Sequence, residues 1–208
     1  HADKVSTRLG ELEMRLGVAD ARAEEREKSS AKGFDFEDEL EAALGVFAES
    51  SGMVLAPTGL EEGLVRKSKK GDFVFRRSDG SSLVGIEAKN KTTRTSVAEM
   101  HRYLDELQRN RDTPVAVWVT NGVEQNEGKL LRFLSDTRWA VAFDEEIPEV
   151  LLAVLKFASI TAARLRDGGA DASGDIESAR AKVSEALTAA EDLGQVQKLA
   201  ADMVTNAN

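Results

Sequence analysis

The chain has 208 residues, of which 41% are hydrophobic and 31% charged, with a net charge of −9, a composition typical of a folded acidic protein. The absence of cysteine excludes disulfides, zinc–thiolate sites and cysteine nucleophiles, and a total of two histidines argues against a histidine-based catalytic triad. No run of 18 apolar residues occurs, so the sequence predicts no membrane span. The absence of cysteine is compatible with a reducing cytoplasm, where we expect the protein.

The first 30 residues predict a coiled-coil-like helix. Its apolar residues are spaced alternately by four and three, as in an a/d heptad seam: Val5, Leu9, Leu12, Leu16, Ala19 and Ala23. The seam runs for under about three heptads, so packing of this helix on its own domain stays open as an alternative.

A second helix and a short strand are predicted next. From Gly33 to Leu44 the chain reads as an amphipathic helix, because Phe36 and Leu40 continue with Leu44 at a spacing of four and leave Glu37 beside the apolar stripe. The apolar run over 53–56 ends at a Pro-Thr-Gly sequence and predicts an edge strand.

The segments 71–75 and 83–89 predict a β-hairpin. Asp72 enters its first strand and Glu87 leaves its second, so an antiparallel pair brings both carboxylates to the same end of the sheet. Lys89 shares a face with Glu87 because it follows two residues later. Two carboxylates can hold one divalent cation, and a cation beside an ammonium group is what phosphodiester hydrolysis requires. The alternative is a chance Glu-x-Lys in a solvated hairpin.

After the hairpin the chain predicts a right-handed βαβ unit. Ser96 and Glu99 form a capping box at the start of a helix that ends within 109–112. The β-branched run over 114–120 is too apolar for an exposed strand and predicts a buried, central or parallel one.

The remainder of the domain predicts a second unit of the same kind, built from a helix over 127–135, a strand over 139–143 and a helix over 148–166. The fold class is therefore α/β, a mixed β-sheet with helices on its faces. The glycines that follow, at 168, 169 and 174, interrupt the chain before an alanine-rich terminal helix.

These patterns predict three regions: an N-terminal helix over 1–30, an α/β domain over 31–167 and a helical extension over 168–208. The small residues of the last helix suit helix-to-helix packing, and we expect a homo-oligomer formed through the terminal helices.

The stretch 63–94 reverses the sign of the chain's net charge, with nine basic and three acidic residues and a local net charge of +6. It contains the candidate site, so we expect it to guide a phosphate backbone there. The alternative is a solvated loop. The candidate nucleic-acid contacts are Lys69, Lys70, Lys91 and Arg94.

The site residues resemble the motif of the PD-(D/E)XK nuclease superfamily, whose core order of helix, hairpin, helix and strand is supplied by residues 33–121. Glu37 matches the acid of the first helix, Asp72 the hairpin acid, and Glu87 and Lys89 the Glu-x-Lys motif. A nuclease core after a coiled-coil helix looks most similar to RmuC-type bacterial proteins. Gly71 stands where the superfamily name has proline.

This resemblance implies a restriction-endonuclease-like fold and a Mg²⁺- or Mn²⁺-dependent deoxyribonuclease serving DNA repair, recombination or defence. Asp72, Glu87 and the carbonyl of Ala88 would bind the cation, and Glu37 would bind it directly or through a water. Lys89 would orient or help to deprotonate the attacking water. The alternative is an inactive nuclease-like scaffold that binds DNA or acts as an assembly subunit.

Overall fold

The computed structural model describes residues 32–90, 94–145 and 147–168, together with the helical residues Glu177, Arg180, Ala181 and Val183. The chain divides into two compact units, His1–Asp38 and Glu39–Asn208. The N-terminal helix predicted over 1–30 lies outside the described residues, as does most of the extension predicted over 168–208.

Helices and one mixed sheet make up the described part of the chain. In chain order the elements are α1 (Lys32–Ser51), β1 (Val54–Pro57), β2 (Phe73–Arg76), β3 (Ser82–Lys89), α2 (Val97–Arg111), β4 (Val115–Asn121), a 3₁₀ helix (Glu124–Asn126), β5 (Leu131–Phe133), β6 (Arg138–Phe143) and α3 (Glu149–Arg166). The strand order is β1-β2-β3-β4-β6-β5. The predicted α/β class, with a mixed sheet flanked by helices, is confirmed.

Both parallel pairings involve β4, which lies between β3 and β6. The pairings of β1 with β2, β2 with β3, and β5 with β6 are antiparallel. The β-branched run therefore forms a central strand, buried from Val115 to Thr120, as predicted. The edge strand β1 and the start of α2 are also confirmed, since the Ser96 side chain accepts the Glu99 amide at 3.2 Å.

The predicted helix over 127–135 is wrong. Glu127 has a left-handed backbone with φ of 58°, which a helix does not accommodate. Leu131–Phe133 instead adds an antiparallel edge strand to β6, and Phe133 packs edge-on against Trp139 with 5.4 Å between ring centroids. The second βαβ unit does not form, because a segment as short as Leu131–Phe133 suits a strand as well as a helix and the aromatic contact favours the strand.

The helices α2 and α3 cover opposite faces of the sheet. Trp139 of β6 stacks on Phe157 of α3 at 4.9 Å, whereas the next residue, Ala140, belongs to the core under α2. Successive strand residues point to opposite faces, which fixes the arrangement. The core on the α2 side consists of Met100, Leu104, Leu107, Ala116, Trp118 and Ala140. None of the described helices is both long and apolar enough to cross a membrane.

Candidate active site

The hairpin brings two carboxylates face to face at one end of the sheet. Phe73 of β2 pairs with Ile86 of β3 as the last pair of the ladder, and Asp72 and Glu87 follow directly beyond it. The amide of Asp72 donates to the carbonyl of Ile86 at 2.8 Å, which keeps Asp72 against the end of β3. Both carboxylates therefore lie at the same end of the sheet, as predicted, where Nζ of Lys89 contacts both.

Each carboxylate is held by a main-chain amide of the opposite segment. The amide of Gly71 donates to Oε2 of Glu87 at 2.8 Å, and the amide of Ala88 donates to Oδ2 of Asp72 at 2.8 Å. The Glu87 side chain is 6% exposed and that of Asp72 34%. Bonds from amides to ionised groups are among the stronger hydrogen bonds, so both carboxylates are held in fixed orientations.

Lys89 completes the cluster. Its Nζ lies 2.6 Å from Oε1 of Glu87 and 3.8 Å from Oδ2 of Asp72. Burial lowers the pKa of Lys89, but the charge of Glu87, the hydrogen bond to it and the charge of Asp72 together outweigh burial and raise the pKa above its ordinary value of 10.5. The side chain is therefore an ammonium group at neutral pH.

Gly71 has two properties that exclude proline from this position. Its φ is 96°, whereas a proline ring holds φ near −65°. Its amide also donates the hydrogen bond to Glu87, and proline has no such donor. Glycine at this position therefore has a structural reason, because the residue before Asp72 helps to orient the carboxylate of Glu87.

Aromatic rings form one wall of the site. Trp118 of β4 pairs in register with Glu87, and Nζ of Lys89 lies 5.8 Å from its ring centroid. Tyr103 of α2 meets Trp118 edge-on at 5.7 Å, and Nζ of Lys70 lies 3.0 Å from the Tyr103 centroid. Such a wall lowers the local dielectric constant and strengthens the interactions of the charged groups beside it.

Arg111, at the end of α2, fastens the segment that leads to Asp72. We call this segment, residues 58–71, the basic loop. The guanidinium donates to the carbonyls of Lys70 and Glu61 at 2.8 Å each, and also to the carbonyl of Thr58. Burial lowers the pKa of Arg111 from its ordinary value, and the nearby acids only partly oppose this effect.

The neighbouring Asn110 holds the same loop from its middle. Its side-chain amide donates to the carbonyl of Lys70 at 2.9 Å, and its Oδ1 accepts the amide of Val65 at 3.0 Å. Ser68 adds a hydrogen bond to Glu106 of α2 at 2.8 Å. The sequence predicts only the end of a helix at 109–112. The signal that it also offers is a pair of adjacent polar residues, Asn110 and Arg111, at the end of a helix that packs on the core.

Of the remaining predicted residues, Glu37, Lys69 and Arg94 are described and Lys91 is not. Glu37 is an exposed residue of α1 within the first compact unit, and its role in the site stays a prediction. Lys69 is exposed, and Arg94 is exposed with its Nε donating to the carbonyl of Glu124 at 3.1 Å. Lys91 lies outside the described residues.

The donor set of Asp72 and Glu87 fits a hard divalent cation. Among the described residues no group of three or more His, Cys, Asp or Glu side chains is placed to hold a metal. Mg²⁺ nevertheless commonly binds through one or two carboxylates, with waters and substrate phosphates completing its shell. A Cβ at Gly59 would lie 3.2 Å from Oδ1 of Asp72, so the glycine leaves room beside that carboxylate. The Ala88 carbonyl remains a predicted ligand.

Comparisons with known proteins were negative. No protein-family model matches the chain, and no curated protein and no solved structure matches it either. The chemistry of the site is therefore inferred from its own residues.

Proposed function

We propose that the protein is a metal-dependent DNA nuclease of the PD-(D/E)XK type that hydrolyses phosphodiester bonds with Mg²⁺ or Mn²⁺. The observation that carries the proposal is the convergence of Asp72, Glu87 and Lys89 at one end of the hairpin, with Nζ of Lys89 within 3.8 Å of both acids. The mixed sheet, with a helix before the hairpin and another after it, supports a restriction-endonuclease-like fold.

The burial of these charges favours a functional role of the cluster over a stabilising one. Taking ions from water costs several kcal/mol each, and a well-packed apolar replacement is often at least as stable. Two carboxylates on opposed strand positions also repel each other unless a cation lies nearby. A cluster of two acids and one ammonium group, held by main-chain amides, is therefore costly for a structural element and useful for binding a cation and a phosphate.

When bound, the cation would activate a water and stabilise the charge that develops on the phosphate. Asp72 and Glu87 would hold it in the orientations fixed by the amides of Ala88 and Gly71. Lys89, as an ammonium group, would orient the attacking water and stabilise negative charge on the phosphate oxygens. The aromatic wall would increase the strength of both effects by excluding water.

The wider expectations form part of the same proposal. A nuclease of this kind would act in the cytoplasm in DNA repair, recombination or defence, and would assemble through its terminal helices. Lys69, Lys70, Lys91 and Arg94 would contact the DNA backbone, and Glu37 would complete the metal site.

One observation favours the second candidate, an inactive scaffold that binds DNA. In the described part of the chain only two metal-ligating side chains meet, and the ammonium group of Lys89 already lies against both. A cluster in which a lysine satisfies both acids can persist without a metal.

The test is cleavage of linear and circular, single- and double-stranded DNA in Mg²⁺, Mn²⁺ or EDTA. Asp72→Asn and Lys89→Met should lower metal-dependent cleavage by about 10²–10³-fold, the usual loss for a group that stabilises transition-state charge. The matched control is Asp79→Asn, an exposed aspartate at the other end of the hairpin, which should cleave as the parent does. Calorimetry with Mn²⁺ measures the site directly, and Asp72→Asn should bind more weakly.

A parent protein that cuts no DNA under any of these conditions and takes up no Mn²⁺ would contradict the nuclease assignment. If that protein still binds DNA, the scaffold is the better description.

A further inference from the structure

The basic loop exposes two leucines beside the candidate site. Leu60 is 89% exposed and Leu64 is 76% exposed, more than any other large hydrophobic residue in the described part of the chain. Large apolar side chains with this exposure are unusual in a segment that hydrogen bonds hold in place, and they indicate a surface that binds another molecule.

The loop is anchored so that its two ends meet at Asp72. The amide of Thr58 donates to the carbonyl of Asp72 at 2.7 Å, and Gly71 directly precedes the same residue. Along the loop, the side chains of Arg111 and Asn110 bind six backbone positions. The leucines are therefore carried on a supported loop next to the carboxylate that would hold the cation.

The same loop also carries exposed cations. Arg66, Lys67 and Lys69 are exposed, and none of them pairs with a carboxylate among the described residues. Of the loop's two acids, Glu62 is engaged within the loop, where it accepts the amide of Lys67 at 3.2 Å. Three cations without acidic partners, on a segment that leads into a candidate phosphodiesterase site, are complementary to a phosphate backbone.

We propose that the basic loop binds unpaired DNA, with Leu60 and Leu64 against the exposed faces of bases and Arg66, Lys67 and Lys69 on the backbone phosphates. This inference rests on the proposed function for the identity of the polymer, and it deepens that function by naming the substrate as single-stranded DNA or an open DNA end next to the bond that is cut.

The chemistry of leucine favours unpaired bases over a closed duplex. Leucine offers no hydrogen bond, so it cannot read the donor and acceptor pattern of a groove. Inserting it between stacked bases costs a few kcal/mol of unstacking, whereas unpaired bases already expose an apolar face of any sequence. Recognition of this kind is independent of sequence.

A protein partner fits the surface less well. The cores of protein–protein interfaces are depleted of lysine and concentrate their apolar residues in a continuous patch. Here Leu60 and Leu64 are separated along the chain by Glu61, Glu62 and Gly63, so they do not form one continuous apolar patch, and the exposed cations follow after Leu64.

The experiment measures binding of the full chain in EDTA, by fluorescence anisotropy, to a labelled single strand, a blunt duplex and a duplex with a single-stranded overhang. Titrations between about 50 and 200 mM salt give the slope of log affinity against log salt, which counts the phosphate contacts. The variants are Leu60→Ala/Leu64→Ala and Arg66→Gln/Lys67→Gln/Lys69→Gln. Matched controls on α3 are the exposed Leu165→Ala and Lys156→Gln.

We expect the parent to bind the single strand and the overhang about tenfold or more tightly than the blunt duplex. The leucine variant should lose about tenfold in affinity for the single strand, with its salt slope unchanged. The cation variant should reduce the slope by about 2, since each phosphate contact on a single strand contributes about 0.7. Both controls should bind like the parent.

Three results would overturn the inference: a leucine variant that binds like the parent, a blunt duplex bound as tightly as the single strand, or no binding to any DNA. Leu60→Met/Leu64→Met keeps apolar side chains and should keep the affinity, which separates lost contact from misfolding. If the parent cleaves DNA and the leucine variant binds the single strand as tightly as the parent does, the inference about the loop is refuted and the nuclease assignment stands. If the leucine variant loses binding but the parent cleaves no DNA, the nuclease assignment is refuted and the inference about the loop stands.

Discussion

The two ends of the β2–β3 hairpin each carry an ion pair and a glycine with a positive φ, yet they are built differently. At the turn end, Arg77 pairs with Asp167 at 2.8 Å through side chains that are 30% and 61% exposed. At the site end, Lys89 and Glu87 pair at 2.6 Å with side chains only 22% and 6% exposed. The turn end leaves its charges in water, whereas the site end replaces water with main-chain amides and a lysine.

This difference distinguishes surface charges that are solvated by water from charges that are largely buried and held in fixed orientations. An exposed pair contributes little to stability because water solvates both partners well when they part. A buried pair has already lost that solvation, so the remaining partner is strongly destabilised when the other is removed. The comparison predicts that equivalent substitutions at the two ends will differ in size, and that the site end will respond to a divalent cation.

The largest expected effect comes from Lys89→Met compared with Arg77→Met. Removing Lys89 leaves the carboxylate of Glu87 buried without its counter-charge, and we expect the free energy of unfolding to fall by about 3 kcal/mol, the lower end for a broken buried pair. Arg77→Met should lower the urea midpoint only slightly, because water solvates the exposed Asp167 that remains. Urea unfolding in EDTA, followed by circular dichroism at neutral pH, makes the comparison.

Adding Mn²⁺ tests the origin of this destabilisation, because a cation bound by Asp72 and Glu87 would replace the missing ammonium charge. The Lys89→Met variant should then recover stability as the Mn²⁺ concentration rises above its dissociation constant, while Arg77→Met and the parent in EDTA serve as references. Equal destabilisation at the two ends, or no response of Lys89→Met to Mn²⁺, would contradict this account of the site end.

The site end was the more predictable of the two because the rules that form it are local. A period of two along each strand and antiparallel pairing are enough to bring Asp72 and Glu87 to the same end of the sheet, with Lys89 on the face of Glu87. The support beneath it was not predictable. Arg111 and Asn110 reach carbonyls and amides 40 or more residues away, and no pattern within α2 indicates where the chain before β2 will pass.

The error in the 127–135 segment has a similar cause. The three-residue segment Leu131–Phe133 is too short to show a periodicity, so its conformation depends on a partner, in this case Trp139 of β6. Glu37 illustrates the limit of a helical pattern, which predicts the face of α1 on which a carboxylate lies but not which other elements that face will meet.

The second test replaces the glycine at each end of the hairpin with alanine. Gly71 and Gly80 have φ of 96° and 85°, so alanine at either position adopts a left-handed backbone at a cost of about 1–2 kcal/mol. A Cβ at Gly71 would also lie 3.1 Å from Cγ of Arg111 and 3.3 Å from Cγ of Leu107, whereas at Gly80 nothing lies within 4 Å. We expect Gly71→Ala to cost about 1 kcal/mol more than Gly80→Ala.

The same urea titrations measure this difference, and Mn²⁺ calorimetry adds a second readout. Because the amide of Gly71 orients Glu87, Gly71→Ala should weaken Mn²⁺ binding, and Gly80→Ala should leave it unchanged. If the two variants lose equal stability and bind Mn²⁺ equally, the crowding around Gly71 does not constrain the site.

The smallest expected effects are those of pH, and they have opposite signs at the two ends. The pKa of Lys89 is raised above 10.5, so its stabilisation is complete below that pH and is lost as the pH rises through the raised value. The hydrogen bond from Arg77 lowers the pKa of Asp167 below its ordinary 3.8, despite the opposing effect of burial. That contribution is complete above pH 3.8 and is lost as the pH falls through the lowered value.

Urea unfolding across pH tests both signs by comparing each variant with the parent. The stability gap between the parent and Lys89→Met should be constant between about pH 5 and 9 and should shrink in alkali, because the parent's own ammonium group is then neutralised. The smaller gap to Asp167→Asn should be constant over the same range and should shrink only in acid. A Lys89 gap that persists undiminished above the raised pKa would mean that packing of the lysine stem, and not its charge, stabilises the site end.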